Sequence, residues 1–266
     1  MAHTHDYFSE LHASKESQFF GTPHGVSDTD EAAALRARLE EAPDDYDLLL
    51  ELASKLSFQL RYREALELCD RAVALRPDGL EALRLRAARR LTTLQTKLAH
   101  EDYAAAFSLK PDATEVAYRL GISAYILRRY KEAEELFGMC AERSVEEPEA
   151  LVAAYYWLAL TEARTHSGNE GWRGFDFSSD IDHHTGYRDG LLVLCGRVSA
   201  EEMYAAVSGA EDSLNGCITL YAAAARCRLD GNTELERKIM SEILGWDDFW
   251  PGFAYLAAWS EKEGYA

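Results

Sequence analysis

The sequence predicts an all-α fold made of stacked antiparallel helix pairs, an α-solenoid. Two observations lead to this prediction: apolar residues recur at helical spacing along most of the chain, and one phrase returns with a 34-residue period. The composition agrees with it. A chain of 266 residues with 47% apolar and 28% charged side chains is typical of a folded protein with enough material for a core.

A repeated sequence motif defines the clearest helix pairs. Residues 72–77 read AVALRP and residues 106–111 read AFSLKP, so that Pro77 and Pro111 end the two phrases one period apart. The same shift aligns further classes of residue, namely Ala53 with Ala87 and Gly121, Ala65 with Ala99 and Ala133, Cys69 with Tyr103 and Phe137, and Ala72 with Ala106 and Cys140. Small residues at fixed spacing let neighbouring helices approach closely, and the pattern indicates three consecutive pairs over residues 46–145.

These residues resemble the tetratricopeptide repeat (TPR) family, whose 34-residue unit is a helix–turn–helix. The third unit matches most closely, through Leu120-Gly121, Tyr130, Ala133 and Phe137. It departs at its end, where the expected proline falls on Val145 and Pro148 follows three residues later. The resemblance implies a bacterial TPR-like helical repeat protein, a right-handed superhelix and a concave groove lined by the first helix of each pair.

The chain divides into four predicted segments. Residues 1–30 form an N-terminal arm, flexible or packed along the solenoid; residues 31–164 form TPR-like helical repeats; residues 165–190 form a Gly/Asp-rich loop; residues 191–266 form degenerate TPR-like helices and a C-terminal capping helix. The loop is predicted because glycine is frequent there and breaks helices. Ser199 and Glu202 predict a capping box, and Asp248 should cap the last helix, because Pro251 is tolerated only in a first turn.

The TPR resemblance implies which residues line the groove. The first-helix residues that are not used for stacking are Asp47, Leu50, Ser54 and Phe58, then Glu81, Arg84, Ala88 and Leu91, then Glu115, Tyr118, Ile122 and Tyr125. The alternative is that part of this set packs inside a tight superhelix. TPR domains that bind heat-shock chaperone tails resemble one another in a carboxylate clamp. Only Arg119 fits among the matching positions Leu50, Ser54, Leu85, Glu115 and Arg119, so we do not expect a chaperone tail as partner.

The net charge of −18, from 28 Lys and Arg against 46 Asp and Glu, argues against nucleic acid and membranes as partners. A basic segment interrupts the acidic chain, because residues 61–99 carry a net charge of +4. Its candidate basic patch is Arg61, Arg63, Arg86 and Arg90. One interpretation is a solvated face paired with nearby carboxylates. The other is a dock for an acidic segment, including the chain's own N-terminal arm.

The loop at 171–184 is the one place where the sequence offers candidate catalytic or metal-binding residues, Asp180, Asp182, His183 and His184. No HExxH motif or helix-spaced histidine pair supports a metal there, and no catalytic motif is found elsewhere. The structural alternative is that aromatic residues hold the loop against the helices. We therefore predict a non-catalytic scaffold or adaptor that binds a peptide or helix, without cofactor, and keep a metal-dependent hydrolase as the alternative.

The sequence also predicts a compartment. Residues 1–20 lack the apolar core of a signal peptide, and the longest apolar run, residues 151–160, is shorter than the roughly 20 residues that span a bilayer. The five cysteines are odd in number and form no CxxC pair, which favours free thiols in a reducing compartment. We expect a cytoplasmic protein.

Overall fold

The computed structural model describes residues 27–181, 183, 185–209, 214–246 and 252–262. The described residues form α-helices and one short 3-10 turn and contain no strand, so the predicted all-α class is confirmed. The helices are α1 (Asp30–Glu41), α2 (Tyr46–Phe58), α3 (Tyr62–Leu75), α4 (Leu80–Thr92), α5 (Thr96–Leu109), α6 (Thr114–Ile126), α7 (Tyr130–Arg143), α8 (Pro148–Thr165), α9 (Thr185–Leu194), α10 (Ala200–Val207), α11 (Leu214–Asp230), α12 (Thr233–Gly245) and α13 (Phe253–Lys262). None of them combines the length and apolar character that a bilayer crossing requires.

The chain forms two compact units, which meet in sequence at Val116 and Ala117. In the first unit, α2 packs on α3 and α4 packs on α5, and α4 also lies against α2 and α3. Asp45 starts α2 because its carboxylate accepts the backbone N–H groups of Asp47 and Leu48, both at 3.0 Å. The buried core of this unit combines leucines of the first helices with alanines of the second, as the sequence pattern predicts.

The 34-residue period is visible in the turn inside each helix pair. Leu60, Leu94 and Arg128 adopt positive φ angles of 60°, 59° and 59°. The N–H of the next residue reaches the carbonyl five residues back in each case, in Arg61 to Leu56 (3.0 Å), Gln95 to Arg90 (2.8 Å) and Arg129 to Ala124 (2.8 Å). The same helix-ending turn is therefore made three times at one spacing, which confirms the repeat as a structural unit.

A further turn extends the repeat toward the N-terminus. A backbone hydrogen bond of one type follows the second helix of each pair, from Gly79 to Arg76, Ala113 to Lys110 and Glu147 to Ser144. The bond from Asp45 to Ala42 after α1 has the same spacing. Helix α1 therefore stands in the place of a second helix. The dipeptide Pro43-Asp44 lies one repeat period upstream of Pro77-Asp78 and is the signal in the sequence that the prediction did not use.

The second unit is organised around α8 and α11. Helix α9 packs on both, and α12 and α13 pack on α11. The predicted loop over residues 165–190 is shorter in the structure, because α9 already begins at Thr185 and includes Gly186 and Gly190. A Cβ at Gly186 would lie 2.5 Å from the carbonyl oxygen of Asn215, and one at Gly190 would lie 2.6 Å from the Tyr156 ring. Glycine stands at these two helical positions because the neighbouring helices come too close for a side chain.

Other predicted elements of the second unit are also found. Ser199 and Glu202 form the capping box at the start of α10, with a bond of 3.1 Å from the Glu202 N–H to the Ser199 hydroxyl. Helices α11 and α12 meet at a turn in which Gly231 has a φ of 74°. Asp248, the predicted cap of the last helix, and Pro251 lie outside the described residues; the described helix there is α13.

Candidate peptide-binding surface

The outward face of α2 carries four of the predicted groove residues. Asp47 and Phe58 are exposed and Leu50 and Ser54 are half-buried, whereas the opposite face of α2 is packed into the core. Phe58 has 85% of its surface exposed, the largest exposed fraction among the large apolar side chains described. Positions 47, 50, 54 and 58 follow the helical spacing that keeps side chains on one face. An aromatic ring thus stands in solvent at the end of this face.

The corresponding face of α4 is only partly open. The Arg84 guanidinium is bonded to Glu81 at 2.8 Å and to Glu115 at 2.6 Å. Ala88 is half-buried, but Leu91 retains only 1% of its surface and belongs to the core. For Leu91 the alternative interpretation, packing inside the repeat, therefore describes the structure.

One carboxylate on this face was absent from the predicted groove set. Glu51 is exposed and lies four residues after Asp47, on the same side of α2. Glu51 precedes Leu85 by one 34-residue period, and Leu85 is one of the positions matched to the carboxylate clamp. The repeat period therefore predicts that Glu51 also lies on this face. We define the α2–α4 face as the set Asp47, Leu50, Glu51, Ser54, Phe58, Glu81, Arg84, Leu85 and Ala88.

The predicted groove residues of the second unit are packed against other helices. Ile122 has no exposed surface and Tyr125 retains 3%. The Tyr125 ring lies 5.1 Å from the ring of Trp157, and its hydroxyl is 3.2 Å from the Tyr221 hydroxyl of α11. Burial raises the pKa of the Tyr125 hydroxyl above its ordinary value. These side chains are core contacts here rather than an open surface.

Tyr118 is half-buried in the same unit. Its hydroxyl donates to the Tyr187 hydroxyl of α9 at 3.3 Å. Its ring centroid lies 6.0 Å from that of Phe137 and 6.3 Å from that of Phe253 in α13. Helices α7, α9 and α13 therefore contact Tyr118, which the TPR spacing would direct into a groove. Single-helix periodicity predicts which face a residue occupies, but it carries no information about a later helix that covers this face.

The predicted basic patch is largely neutralised by ion pairs. Arg86 bonds the Asp102 carboxylate at 2.7 and 2.8 Å, and Arg90 bonds it at 2.8 Å. Asp102 is buried, and Asp70 adds a weaker contact of 3.2 Å to Arg86. These guanidinium groups therefore hold α4 against α5.

The other two arginines of the patch lie at the start of α3. Arg61 bonds Glu64 at 2.7 Å and also pairs with Asp28, which bonds Arg36 at 2.9 Å. Arg63 is half-buried. The hydrogen bond from Arg36 is the largest of the effects that lower the pKa of Asp28, and the charge of Arg61 adds to it. The arm predicted at 1–30 thus meets Arg61 through Asp28, while residues 1–26 lie outside the described residues.

The candidate metal residues of the loop are only partly described. Asp180 and His183 are exposed, and the His183 N–H donates to the Glu149 carboxylate at 3.1 Å. Asp182 and His184 lie outside the described residues. Within the residues described, no three His, Cys, Asp or Glu side chains come together as a metal site would require.

Aromatic side chains hold the loop against α8. Trp172 and Phe175 are buried, and the Phe175 ring lies 6.4 Å from that of Tyr155. Phe177 contacts Phe175 and carries the Arg197 guanidinium 4.4 Å above its ring. This packing gives the loop a structural role in the second unit.

Comparison with known proteins shows which structures this fold resembles. No protein family and no curated protein matches the sequence. A tetratricopeptide repeat protein from Parabacteroides merdae is structurally similar, with a TM-score of 0.58 at 17% identity, over 96% of this chain and 99% of that one. YrrB, a TPR protein with an unusual peptide-binding site, gives a TM-score of 0.48 at 17% identity, over 87% of this chain and 99% of that one. The Naa15/Naa10 complex bound to HypK-THB gives 0.38 at 13% identity, over 95% of this chain and 39% of that chain.

The repeated turns and the similarity to the Parabacteroides merdae protein agree on the fold. The chain has a TPR-like helical repeat fold, so the predicted resemblance is confirmed at the level of the fold. At such identities the similarity concerns the fold alone, so any function must be argued from the surface of this chain.

Proposed function

We propose that this protein is a non-catalytic interaction scaffold that binds a peptide or helix of another protein on the α2–α4 face. The observation that carries the proposal is the exposure of Phe58, which has 85% of its surface in solvent at the end of a face that also carries the half-buried Leu50 and Leu85. Covering an exposed aromatic ring contributes about 1.5–3 kcal/mol to binding by area. Aromatic side chains are also typical anchors of protein interfaces.

The same proposal gives the second unit a supporting role. Its groove positions are occupied by its own helices, so we assign partner binding to the first unit alone. It also assigns the protein to the cytoplasm, because the five cysteines are unpaired and four of them are buried. No observation in the described residues favours the hydrolase alternative.

A pull-down with matched variants tests the proposal. The full chain is immobilised beside Phe58→Ala and Leu109→Ala, and captured proteins are quantified from a cell extract. Leu109 is a suitable control because it is also the last residue of its helix and is 49% exposed, but lies on a second helix. We expect the Leu109→Ala chain to keep the captured proteins and the Phe58→Ala chain to lose them.

Equal capture by both variants would reject the α2–α4 face as the binding surface. Circular dichroism and thermal unfolding should be unchanged in both variants, since neither side chain is part of the core. Substituting Tyr118 or Tyr125 would be a poor test, because these rings are packed within the second unit and their loss would disturb folding.

A further inference from the structure

We infer that the segment bound by the α2–α4 face is cationic and carries Lys or Arg near an apolar anchor residue. This inference rests on the proposed function and adds the chemistry of the partner. It follows from the charges that remain on the face once the ion pairs of the first unit are taken into account.

The α2–α4 face is acidic. Asp47 and Glu51 are exposed, and within the described residues neither carboxylate forms an ion pair. Glu81 has 64% of its side chain exposed. Arg84 is the one cation of the face in the described part of the chain, and it is already bonded to Glu81 and to Glu115. The face therefore carries three exposed carboxylates against one cation that is already paired.

Lys55 lies one turn after Glu51 on α2, but it is engaged by another helix. Its ammonium group bonds the Glu31 carboxylate of α1 at 2.5 Å. That bond is the largest of the effects that raise the pKa of Lys55, and the charge of Glu51 is the smallest of them. Glu51 therefore remains available to a cationic partner.

The arginines that the sequence offers to an acidic peptide are used elsewhere. Arg86 and Arg90 are bonded to Asp102, and Arg61 is bonded to Glu64 and Asp28. An acidic peptide would have to displace these partners, one of which is buried. A basic peptide has no existing ion pair to displace at Asp47 and Glu51, and their exposure keeps the desolvation cost of pairing small.

The N-terminal segment of the chain itself has the wrong charge for this face. Residues 1–26 contain one Lys, Lys15, and no Arg, against Asp6, Glu10 and Glu16. The charge balance therefore favours a partner in trans over this segment.

The helix geometry also gives the spacing of the partner's residues. Glu51 and Asp47 precede Phe58 by 7 and 11 residues, or about 10 and 16 Å along the axis of α2. An extended peptide covers that distance in about three to five residues. The expected segment thus has an apolar side chain over Phe58 and a Lys or Arg about three to five residues away.

Peptide selection on the full chain tests the inference. A displayed random peptide library is enriched on the wild-type chain and depleted on the Phe58→Ala chain, so that only Phe58-dependent binders remain. Basic sequences with the expected spacing would support the inference. Neutral or acidic Phe58-dependent binders would overturn it and leave the proposed function standing. A library without any Phe58-dependent binder would overturn both.

Charge variants then test the face with one selected peptide. Asp47→Asn combined with Glu51→Gln should weaken binding by about 2- to 30-fold at low salt, and the loss should shrink as salt is added. The matched control is Glu67→Gln combined with Glu101→Gln, two exposed carboxylates on second helices, which should leave affinity unchanged. Equal effects of both pairs would mean that total charge, not the face, attracts the peptide, and would overturn the inference.

A competition experiment tests whether residues 1–26 of the chain itself bind the α2–α4 face. A synthetic peptide of residues 1–26 is added in excess to the complex of the full chain with the selected peptide. We expect no displacement. Displacement would assign the α2–α4 face to the chain's own segment and would overturn the inference.

Discussion

Leu60, Leu94 and Arg128 occupy a backbone conformation that favours glycine. Their φ angles near 60° bring the Cβ atom close to the following carbonyl oxygen, which costs a non-glycine residue roughly 1–2 kcal/mol. The turn is repeated at the same place in three units, so the strain comes from the helix-turn-helix geometry. Leu60 and Leu94 are half-buried, whereas Arg128 is exposed.

Arg128→Gly should stabilise the protein. The exposed side chain contributes little packing, so relief of the left-handed strain should exceed the extra unfolded-state entropy of glycine by about 0.5–1 kcal/mol. Urea unfolding measures this change. Arg129→Gly is the matched control: φ is −82° there, and the substitution should destabilise instead. A loss of stability in Arg128→Gly would show that the Arg128 side chain does more than fill the turn.

Helix α10 is held in the second unit by a carboxylate from α12. Glu242 accepts hydrogen bonds from the Tyr204 hydroxyl (2.7 Å), the Ser208 hydroxyl (3.0 Å) and the Gly209 N–H (3.1 Å). Partial burial raises the pKa of Glu242, but these bonds and the nearby charge of Lys238 lower it more, and the net pKa lies below the ordinary value. The ionised form is therefore the one that the fold stabilises.

The stability of this contact should depend on pH. Because the folded pKa is depressed, the contribution of Glu242 is complete above the unfolded value of about 4.3 and is lost as the pH falls through the folded value. Glu242→Gln should cost about 1–2 kcal/mol at neutral pH, after allowance for solvent screening. The difference from wild type should shrink as the pH falls below the ordinary glutamate value.

Urea unfolding at several pH values measures this difference, with Glu234→Gln as control. Glu234 lies in the same helix and is exposed, so its substitution should change stability little at any pH. If the loss of stability caused by Glu242→Gln did not change with pH, the contribution of Glu242 would come from the shape of its side chain and not from its charge.

The helices could be predicted from the sequence to different extents in the two units. The 34-residue period locates α2 to α7, because in these units each position keeps its packing role from one repeat to the next. Extended upstream, the same period aligns Pro43-Asp44, which follows the end of α1, with Pro77-Asp78. In the second unit, Gly186 and Gly190 lie inside a helix, where the close approach of Asn215 and Tyr156 leaves no room for a side chain. Such close approach depends on tertiary packing and leaves no local signal.

The candidate site could be predicted only in part for a related physical reason. Phe58 and Asp47 lie on an open face as the repeat register implies, but Ile122 is buried and Tyr125 contacts Trp157 of α8 and Tyr221 of α11. The pairing of charged residues likewise depends on the tertiary fold. The basic segment was visible in the sequence, whereas its pairing with Asp102 and Asp28 requires the fold.

The whole molecule combines a large negative net charge with the acidic α2–α4 face of its first unit, where we propose that a partner binds. A net charge of −18 keeps the chain soluble and repels other acidic chains. It also accelerates encounter with cationic segments, an effect that decreases with salt. The total charge therefore acts in the same direction as Asp47 and Glu51 in selecting a basic partner.

The reactivity of the cysteines can be used to measure the opening of each unit. Cys69 and Cys140 have almost no exposed surface, and burial raises the pKa of each thiol to about 12. Burial likewise raises the pKa of Cys227 to about 11, and Cys217 has 2% of its surface exposed. Cys195 is only half-buried. Since the thiolate is the reactive form, burial should protect four of the five thiols in the native protein.

We therefore expect one thiol to react quickly with a chromogenic disulfide reagent at about pH 8, and all five to react after denaturation in guanidinium. The fast phase should disappear in Cys195→Ser, which removes the half-buried thiol and leaves the core intact. Slow reaction of the remaining four reports the opening of the unit that contains them, with Cys69 in the first unit and Cys140, Cys217 and Cys227 in the second. Repeating the measurement with Cys69→Ser assigns the rate of the first unit. A second thiol that reacts as fast as Cys195 in the native protein would contradict the packing of the helices around it.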